Sequence, residues 1–369
     1  MSMNMSTHAM NYGSWADWDW LKANVPVMCN WDGGIDYFLD PDDYTKKADG
    51  TNSDAANIDY AGDAMAIVKK IYKKEYKVGN DRYVYFCERK VDDDFHAVGF
   101  NVLGKERDYM LIPMFYGSID SNGKMRSIAG QWSCLTASGS AADNATGKAI
   151  GTAEQYTAIQ AASSKALFFG GALTNTLADI CILLSKSTDS QTAFGSGMCS
   201  TYVEDKTQHY GTKINTVIGG GQFYGSNDNK SFNKIFHSCV MGSYMLWQRD
   251  PYMLLINGRI KVSPDYTYDL TGAKYLDTGV NLAKNGYYAT TQVVKDFGAV
   301  PNDEIACSSA TGYCDHTWVN AEIPAVSLRF GDCAGGATDG LWARTLGAVA
   351  VHAWWRDGAS KLLPAPAAA

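Results

Sequence analysis

Between residues 65 and 116 the chain reads as one short β-strand after another, and this succession constrains the fold most. The segment AIVKKIYKKEYKV (66–78) alternates apolar residues with lysine and tyrosine, and RYVYFCERKV (82–91) repeats the pattern. Such alternation is typical of strands with one buried face. YMLIPMFYG (109–117) is a continuous apolar run, short enough for a fully buried strand. The 36 glycines and 22 tyrosines also favour β structure with tight turns.

A helical pattern interrupts the strands at residues 152–187, TAEQYTAIQAASSKALFFGGALTNTLADICILLSKS. The spacing predicts two helices separated near Gly170-Gly171, and the second, around 173–184, is apolar enough for the core. Thr152 followed by Gln155 is predicted to form a capping box at the first helix. Farther on, Asn257-Gly258 is the strongest hairpin signal in the chain. Residues 1–60 are polar and rich in turn signals.

Composition narrows the class of protein. The 369 residues are 46% hydrophobic and 19% charged, which is typical of an ordered chain with a substantial core. A net charge of -7 argues against nucleic-acid binding, and the densest basic cluster, Lys69-Lys70 with Lys73-Lys74, is predicted to be a solvated face. Nine cysteines without a CxxC pair are expected to be buried free thiols. No signal peptide and no membrane-spanning run is recognised.

The sequence carries no recognisable catalytic or metal-binding pattern. HExxH and GxSxG are absent, and the six histidines form no local metal pair. Cys314-Asp315-His316 are consecutive, so they cannot all face one site on a strand. The Gly219-Gly220-Gly221 run lacks the ending of a P-loop. We therefore expect no enzyme, no catalytic residues, no cofactor and no metal site, and the balance favours a binding protein.

The C-terminal segment 326–360, VSLRFGDCAGGATDGLWARTLGAVAVHAWWRDGAS, follows neither the strand period nor the helix period. Its glycines and apolar anchors resemble a fixed frame: Leu328, Arg329, Gly331, Gly336, Gly340, Trp355 and Gly358. The residues between them share no chemistry with one another. On this pattern alone an irregular closing segment of a β-rich domain is favoured over a binding site built on loops.

The same segment resembles the C-terminal signature of variable proteins that retroelements diversify in phages and their hosts. The resemblance lies in Leu328-Arg329-Phe330-Gly331-Asp332-Cys333, then in residues 340–343 (GLWA), then in residues 355–360 (WRDGAS). NYGSWAD, DYFLDPDDYTKKADGTNSD, FYGSIDSNGKMRSIAGQ, YDLTG and GYCDHTWVN are similar to the gut-phage branch of that family. Phe330, Cys333 and Ser360 depart from the usual glycine, tryptophan and arginine of the signature.

The resemblance implies an α+β chain with a C-type lectin-like fold, on a scaffold related to the formylglycine-generating enzyme, in which two helices flank a mixed β core. It also implies a turn-rich N-terminal region (1–60) and a lectin-like domain (61–369) carrying the variable ligand-binding region 326–360. The matching positions indicate the ligand-facing residues, with Phe330 and Trp354 as aromatic anchors. These residues are Phe330, Asp332, Ala334, Thr338, Arg344, Gly347, His352, Trp354, Arg356 and Asp357.

For function, the resemblance implies a receptor-binding protein of a phage or prophage, carried on a tail fibre or other virion surface after assembly in the bacterial cytoplasm. The expected partner is a host cell-surface protein or glycan, and the retroelement reverse transcriptase acts on the gene. A homotrimer is possible within the family, although no coiled-coil heptads require one here. Alternatives are a non-variable structural virion protein and an enzyme of the formylglycine-generating type. The latter needs a C-terminal cysteine pair, whereas Cys333 alone follows Gly331.

Overall fold

The computed structural model describes residues 1–131, 133, 150–201, 221–228, 232–283, 285–288, 290–302, 313–354 and 356–366. Strands account for 35% of the chain and helices for 15%, so the molecule is α+β and mostly β. The expectation of a strand-rich chain with a few helices is confirmed.

The described strands follow one another along the whole chain. In chain order they are β1 Ser2–Asn4, β2 Ala9–Asn11, β3 Pro26–Asn30, β4 Ile35–Phe38, β5 Gly62–Lys69, β6 Tyr72–Val78, β7 Asp81–Cys87, β8 Asn101–Val102, β9 Lys105–Glu106, β10 Tyr109–Pro113, β11 Ser118–Ile119, β12 Met125–Arg126, β13 Leu167–Phe168, β14 Trp247–Ile256, β15 Arg259–Val262, β16 Leu276–Asn281, β17 Gly286–Tyr287, β18 Thr291–Val294, β19 Gly298–Pro301, β20 Thr317–Val319, β21 Ala325–Arg329, β22 Arg344–Ala348, β23 Asp357–Gly358 and β24 Lys361–Pro364. The described α-helices are α1 Asp19–Lys22, α2 Thr152–Ala162, α3 Gly171–Ser185, α4 Ser190–Phe194 and α5 Cys239–Gly242.

One six-stranded sheet has the order β13-β24-β10-β5-β3-β4. The apolar run at 109–113 forms β10, which lies between β5 and β24 and is buried along most of its length, as its composition predicts. Strands β3 and β4 come from the turn-rich first sixty residues; β3 pairs directly with β5, and β4 pairs with β3. The N-terminal region therefore shares a sheet with the rest of the chain.

The second large sheet has eight strands, seven in the order β16-β15-β14-β21-β22-β20-β17, with β23 pairing with β14. Its longest strand, β14, turns into β15 at Asn257-Gly258, where both residues have positive φ (50° and 73°) and Ile256 lies opposite Arg259. Asparagine and glycine adopt such angles at low cost, so this hairpin prediction is confirmed.

Helices α2 and α3 confirm the two helices predicted after residue 151, with β13 between them. The predicted capping box is wrong in its register. Helix α2 begins at Thr152, and Glu154 accepts the amide N–H of Gly151 at 2.9 Å. Gln155 instead donates from its side chain to the backbone oxygen of Asp357 at 2.9 Å, which ties the helix to the C-terminal segment.

The hairpin β6–β7 contradicts the prediction that its lysines form a solvated face. Lys73 was expected on a solvated face, yet its side chain is fully buried. Its ammonium lies 2.5 Å from Glu75 and 2.6 Å from Asp179 of α3, and Arg82 lies 2.7 Å from the same aspartate. Alternation along β6 places Lys73 and Glu75 on the inner face, where α3 supplies the compensating carboxylate.

Most buried apolar side chains form a single core that reaches from Trp20 to Leu363. The thiols that the structure describes are free, and five of them are buried: Cys29, Cys181, Cys199, Cys239 and Cys333. The expectation of buried free thiols is confirmed for these five, while Cys87 and Cys314 are partly exposed. Cys134 and Cys307 lie outside the described residues. No helix in the described part of the chain is long and apolar enough to cross a membrane.

Candidate functional site

The C-terminal segment enters the eight-stranded sheet three times. It runs as β21 beside β14, returns as β22 between β21 and β20, and ends as β23, which pairs in parallel with the start of β14. In this register Ala348 lies beside Val326, while Gly358 lies beside Gln248. Residues 349–354 therefore lead back along the sheet from the end of β21 near Val326 toward the end near Arg329.

The frame of this segment is held by buried polar contacts. Arg329 donates to Thr174 at 2.6 Å and to Asn175 at 2.8 Å, both on α3, and burial lowers its pKa. Gly331 has φ +95°, and a Cβ atom there would lie 2.0 Å from the Asp339 carboxylate. A side chain at position 331 is excluded both by backbone conformation and by space. The frame residue Trp355 lies outside the described residues.

The ten sequence-predicted site residues divide by exposure. Ala334, Gly347 and His352 are exposed, and Thr338, Trp354 and Arg356 are partly exposed. The other four are buried, and for these the expectation of a ligand-facing surface position is wrong in this structure: Phe330, Asp332, Arg344 and Asp357. The predicted set thus mixes surface residues with residues that support them.

Phe330 and Arg344 are parts of the core. The Phe330 ring is 0% exposed and lies 6.3 Å from the ring of Phe169. Arg344 donates to Asn175 at 3.1 Å, and burial lowers the pKa of its guanidinium to about 9. Neither side chain reaches solvent: Arg344 on β22 points toward α3, and Phe330, just after β21, packs against Phe169. The aromatic anchor expected at position 330 is therefore a packing residue.

Arg356 joins two of the predicted residues. Its guanidinium lies 2.7 Å from the Asp332 carboxylate and 3.6 Å from the centre of the Trp354 ring. Burial raises the pKa of the Asp332 carboxyl, and the nearby Arg356 and Trp247 side chains lower it. A guanidinium held by a carboxylate and stacked on an indole has little rotational freedom. The exposed part of this group is pre-organised.

His352 is held in a similar way. Its Nδ1 lies 2.6 Å from the buried carboxylate of Asp357, while nearly half of the imidazole remains exposed. Arg249 lies 3.4 Å from the same carboxylate and donates to the backbone oxygen of His352. The hydrogen bond to Asp357 raises the pKa of His352. His352, Trp354 and Arg356 together form a border that we term the C-terminal rim.

Four aromatic side chains beside this rim form a surface that we term the aromatic platform: Trp247, Tyr287, His316 and Trp318. Trp318 lies 5.5 Å from Trp247 and 5.4 Å from His316, and Tyr287 lies 5.2 Å from His316. Tyr287 is 51% exposed, and His316 and Trp318 are partly exposed. Trp247 pairs with Asp357, the residue that follows Arg356, and this pairing connects the platform to the rim.

Strand register explains why these rings meet. Trp318 pairs with Tyr287 on β17 and with Thr345 on β22, and paired residues of neighbouring strands share a face. Gly347, two residues after Thr345, lies on that same face and is exposed. The part of the face nearer β14 is covered, because Arg249 binds the segment around His352. The platform is therefore the uncovered end of one sheet face.

The sequence analysis did not identify Tyr287 or Trp318. His316 and Trp318 stand two residues apart, which places them on one face of a strand, and this local signal was available. Their contact with Tyr287 and Trp247 depends on strand pairing across long stretches of chain, which the sequence alone does not specify.

Two buried carboxyls lie beneath the frame. Asp315 accepts the Trp342 amide N–H at 2.8 Å, and burial raises its pKa to about 8. Asp339 accepts the Asp332 amide N–H at 3.1 Å, and burial raises its pKa well above the ordinary value. Both groups favour the protonated form, so they act here as neutral hydrogen-bonding partners of the backbone.

Cys333 is fully buried, and burial raises the pKa of its thiol to about 12. This is the opposite of the depressed pKa that thiolate chemistry requires. Within the described ranges, no group of three or more His, Cys, Asp or Glu side chains is arranged to hold a metal ion.

Comparison of the chain with known protein families finds no matching family model, and comparison with curated proteins finds no significant match.

Proposed function

We propose that the protein binds a ligand through the aromatic platform and the C-terminal rim. The observation that carries this proposal is the continuity from Trp354 and Arg356 through Asp357, which pairs with Trp247, to Trp318. Large aromatic side chains beside an oriented guanidinium are the groups that dominate binding energy at recognition surfaces. Trp247 and Trp318 lie on strands of one sheet, and Arg356 is held by Trp354 and Asp332, so little ordering entropy is lost when a ligand binds.

The proposed biological role is that of a receptor-binding protein of a phage or prophage, diversified by a retroelement and built on a C-type lectin-like scaffold. The support is the resemblance of residues 326–360 to such variable proteins, together with the tight packing around Arg329 and Gly331 within that signature. The receptor is a host cell-surface protein or glycan. In this proposal the protein belongs to the virion surface and acts as a homotrimer, so that several sites bind together.

The binding proposal is tested with the purified full chain, fluorescently labelled and titrated onto a panel of gut bacterial cells. Trp354→Ala and Trp318→Ala should each weaken cell binding by about tenfold to a hundredfold, as expected for aromatic anchors. The matched control is Phe38→Ala, which removes a 49% exposed ring from β4, in the other sheet. Unchanged binding of both tryptophan variants to cells that bind the wild type would refute the assignment of this surface.

The diversification proposal has its own test. DNA beside the gene should contain a near-copy of codons 326–360 next to a reverse-transcriptase gene, with differences confined to adenines of the template copy. If no such copy exists in any genome that carries the gene, a ligand-binding protein that does not vary remains, and the binding experiment is unaffected.

A further inference from the structure

A pocket of about 280 Å³ lies beside the β8–β9 hairpin. Its lining combines two aromatic rings, two polar side chains of the hairpin and a buried stretch of backbone: Tyr72, Phe95, Asn101, Glu106 and residues 98–99. The volume is close to the lower end of the range for small-molecule sites, roughly 300–1,000 Å³. The pocket therefore suits a ligand of one ring. None of its lining residues belongs to the aromatic platform or the C-terminal rim.

The buried part of this pocket is pre-formed. The backbone oxygen of Gly99 accepts the Tyr266 hydroxyl at 2.8 Å, and that of Val98 accepts the Thr176 hydroxyl at 3.1 Å. Gly99 has φ +89°, and a Cβ atom there would lie 2.5 Å from the Cα atom of Leu173 on α3. This stretch of backbone is therefore held against α3, so a ligand does not have to order it.

Strand register places the two polar side chains of the hairpin together. Asn101 lies directly opposite Glu106, so the two side chains share a face. The next residue, Val102, is buried and takes the opposite face. The Asn101 side chain makes no hydrogen bond to any residue that the structure describes. Both the donor and the acceptor of its amide are therefore available to a ligand.

Glu106 is a carboxylate with one oxygen in use. Its Oε1 accepts the Tyr72 hydroxyl at 2.8 Å and lies 2.8 Å from the Lys70 ammonium. Burial raises the pKa of Glu106, but the hydrogen bonds from Lys70 and Tyr72 lower it, and the net shift is downward. The group is therefore ionised at neutral pH, and Oε2 is left to accept a hydrogen bond from a ligand.

The charges of the lining are already paired. Lys90 lies 2.9 Å from Asp93, and the Nδ1 atom of His96 lies 2.9 Å from Asp296. Together with the contact between Glu106 and a lysine, these pairs give every charged side chain of the lining a partner of opposite sign. A charged ligand would have to compete with one of these pairs. A neutral ligand with hydroxyl groups uses the donors and acceptors that remain.

We propose that this pocket binds a single neutral sugar ring, separately from the ligand of the platform and the rim. Hydroxyl groups of the sugar donate to Oε2 of Glu106 and accept from the Asn101 amide. Its C–H groups pack on the rings of Tyr72 and Phe95, which offer apolar area beside those polar groups. Aromatic area next to neutral hydrogen-bonding capacity matches an uncharged polyhydroxyl ring, and it does not match an anion such as phosphate.

The probes are the methyl glycosides of glucose, mannose, galactose, fucose and N-acetylglucosamine, titrated into the ¹⁵N-labelled full chain and followed by amide NMR. We expect at least one of them to shift the signals of Gly99, Asn101 and Gly104, with a dissociation constant of about 1–10 mM for a ligand of this size. Methyl glucuronide, which carries a carboxylate, and methyl glucosaminide, which carries an ammonium, should bind about tenfold more weakly. No shift of these amides with any of the neutral glycosides at about 100 mM, tenfold above the weakest expected dissociation constant, overturns the proposal. Tighter binding of either charged sugar also overturns it.

Asn101 provides a variant that leaves the core untouched. Asn101→Ala removes an exposed amide from the lining and should weaken sugar binding by about tenfold, the equivalent of one lost hydrogen bond. The matched control is Asn122→Ala, which removes an exposed amide from the turn between β11 and β12, outside the pocket lining. Equal binding by Asn101→Ala and wild type contradicts the assignment. Trp318→Ala should bind the sugar as wild type does, and a loss of binding there would place the sugar on the platform and refute the pocket.

Discussion

Replacing Asp315 with asparagine should stabilise the protein near neutral pH, and by more as the pH rises. Asp315 is 2% exposed, and burial raises the pKa of its carboxyl to about 8. The protonated carboxyl offers one acceptor, used by the Trp342 amide at 2.8 Å, and one donor. Asparagine supplies both in a similar shape, so Asp315→Asn mimics the form that the folded protein prefers.

The magnitude follows from proton linkage. Between about pH 4 and pH 8 the folded chain keeps the Asp315 proton while the unfolded chain has lost it. The folded state then binds more protons, so its stability falls as the pH rises, by up to about 1.4 kcal/mol for each pH unit. Asparagine does not titrate. From about pH 5.5 to 7.5 the advantage of Asp315→Asn over wild type should therefore grow by roughly 2 kcal/mol.

Urea unfolding followed by tryptophan fluorescence measures this difference, with equal slopes for wild type and variant as a condition of the comparison. Asp17→Asn serves as the control, because it makes the same substitution at an exposed side chain. The reasoning is refuted if Asp315→Asn shows the same pH dependence as wild type. It is also refuted if the variant loses stability equally at both pH values, since that would mean that the ionised carboxylate is the stabilising form.

Three further predictions concern the frame and the rim. Phe330→Ala should cost about 3–5 kcal/mol of unfolding free energy because it empties a core position, whereas Trp354→Ala should cost much less; urea titration separates them. Asp179→Asn should cost about 3–5 kcal/mol, because Lys73 and Arg82 would then share the single carboxylate of Glu75, while Asp94→Asn breaks a more exposed pair worth at most about 1 kcal/mol. NMR titration should give His352 a pKa above that of free imidazole, because a buried carboxylate binds its Nδ1. A pKa at or below the free value would contradict that pairing.

Local patterns in the sequence predicted the elements that depend on local physics. The Asn257-Gly258 turn needs two positive φ angles, which the dipeptide supplies by itself. The apolar run of α3 and that of β10 carry enough hydrophobic surface to define their own burial. These elements form as expected because no distant partner has to be known.

The predictions that were wrong concern residues whose burial depends on a partner far away in the sequence. Lys73 is buried because Asp179, more than a hundred residues away, supplies a carboxylate to it. Phe330, which follows β21, is buried because its ring packs against Phe169, far away in the sequence. A sequence identifies a lysine or a phenylalanine, but not the partner that compensates it across the fold, so alternation and family signature both misplace such residues.

Six of the ten predicted residues are exposed or partly exposed and four are buried, so the proposed diversification cannot act equally at all ten positions. Substitution at Phe330 or Arg344 changes buried volume or leaves a buried polar network incomplete, and either costs several kcal/mol of a stability that is itself only about 5–15 kcal/mol. Substitution at Gly347, His352 or Trp354 changes groups that reach solvent. Functional sister genes should therefore vary at the exposed and partly exposed positions and retain small sets of residues at the buried ones. Sequencing sibling loci measures this directly, and equal variation at Phe330 and Trp354 would mean that the C-terminal segment repacks between variants.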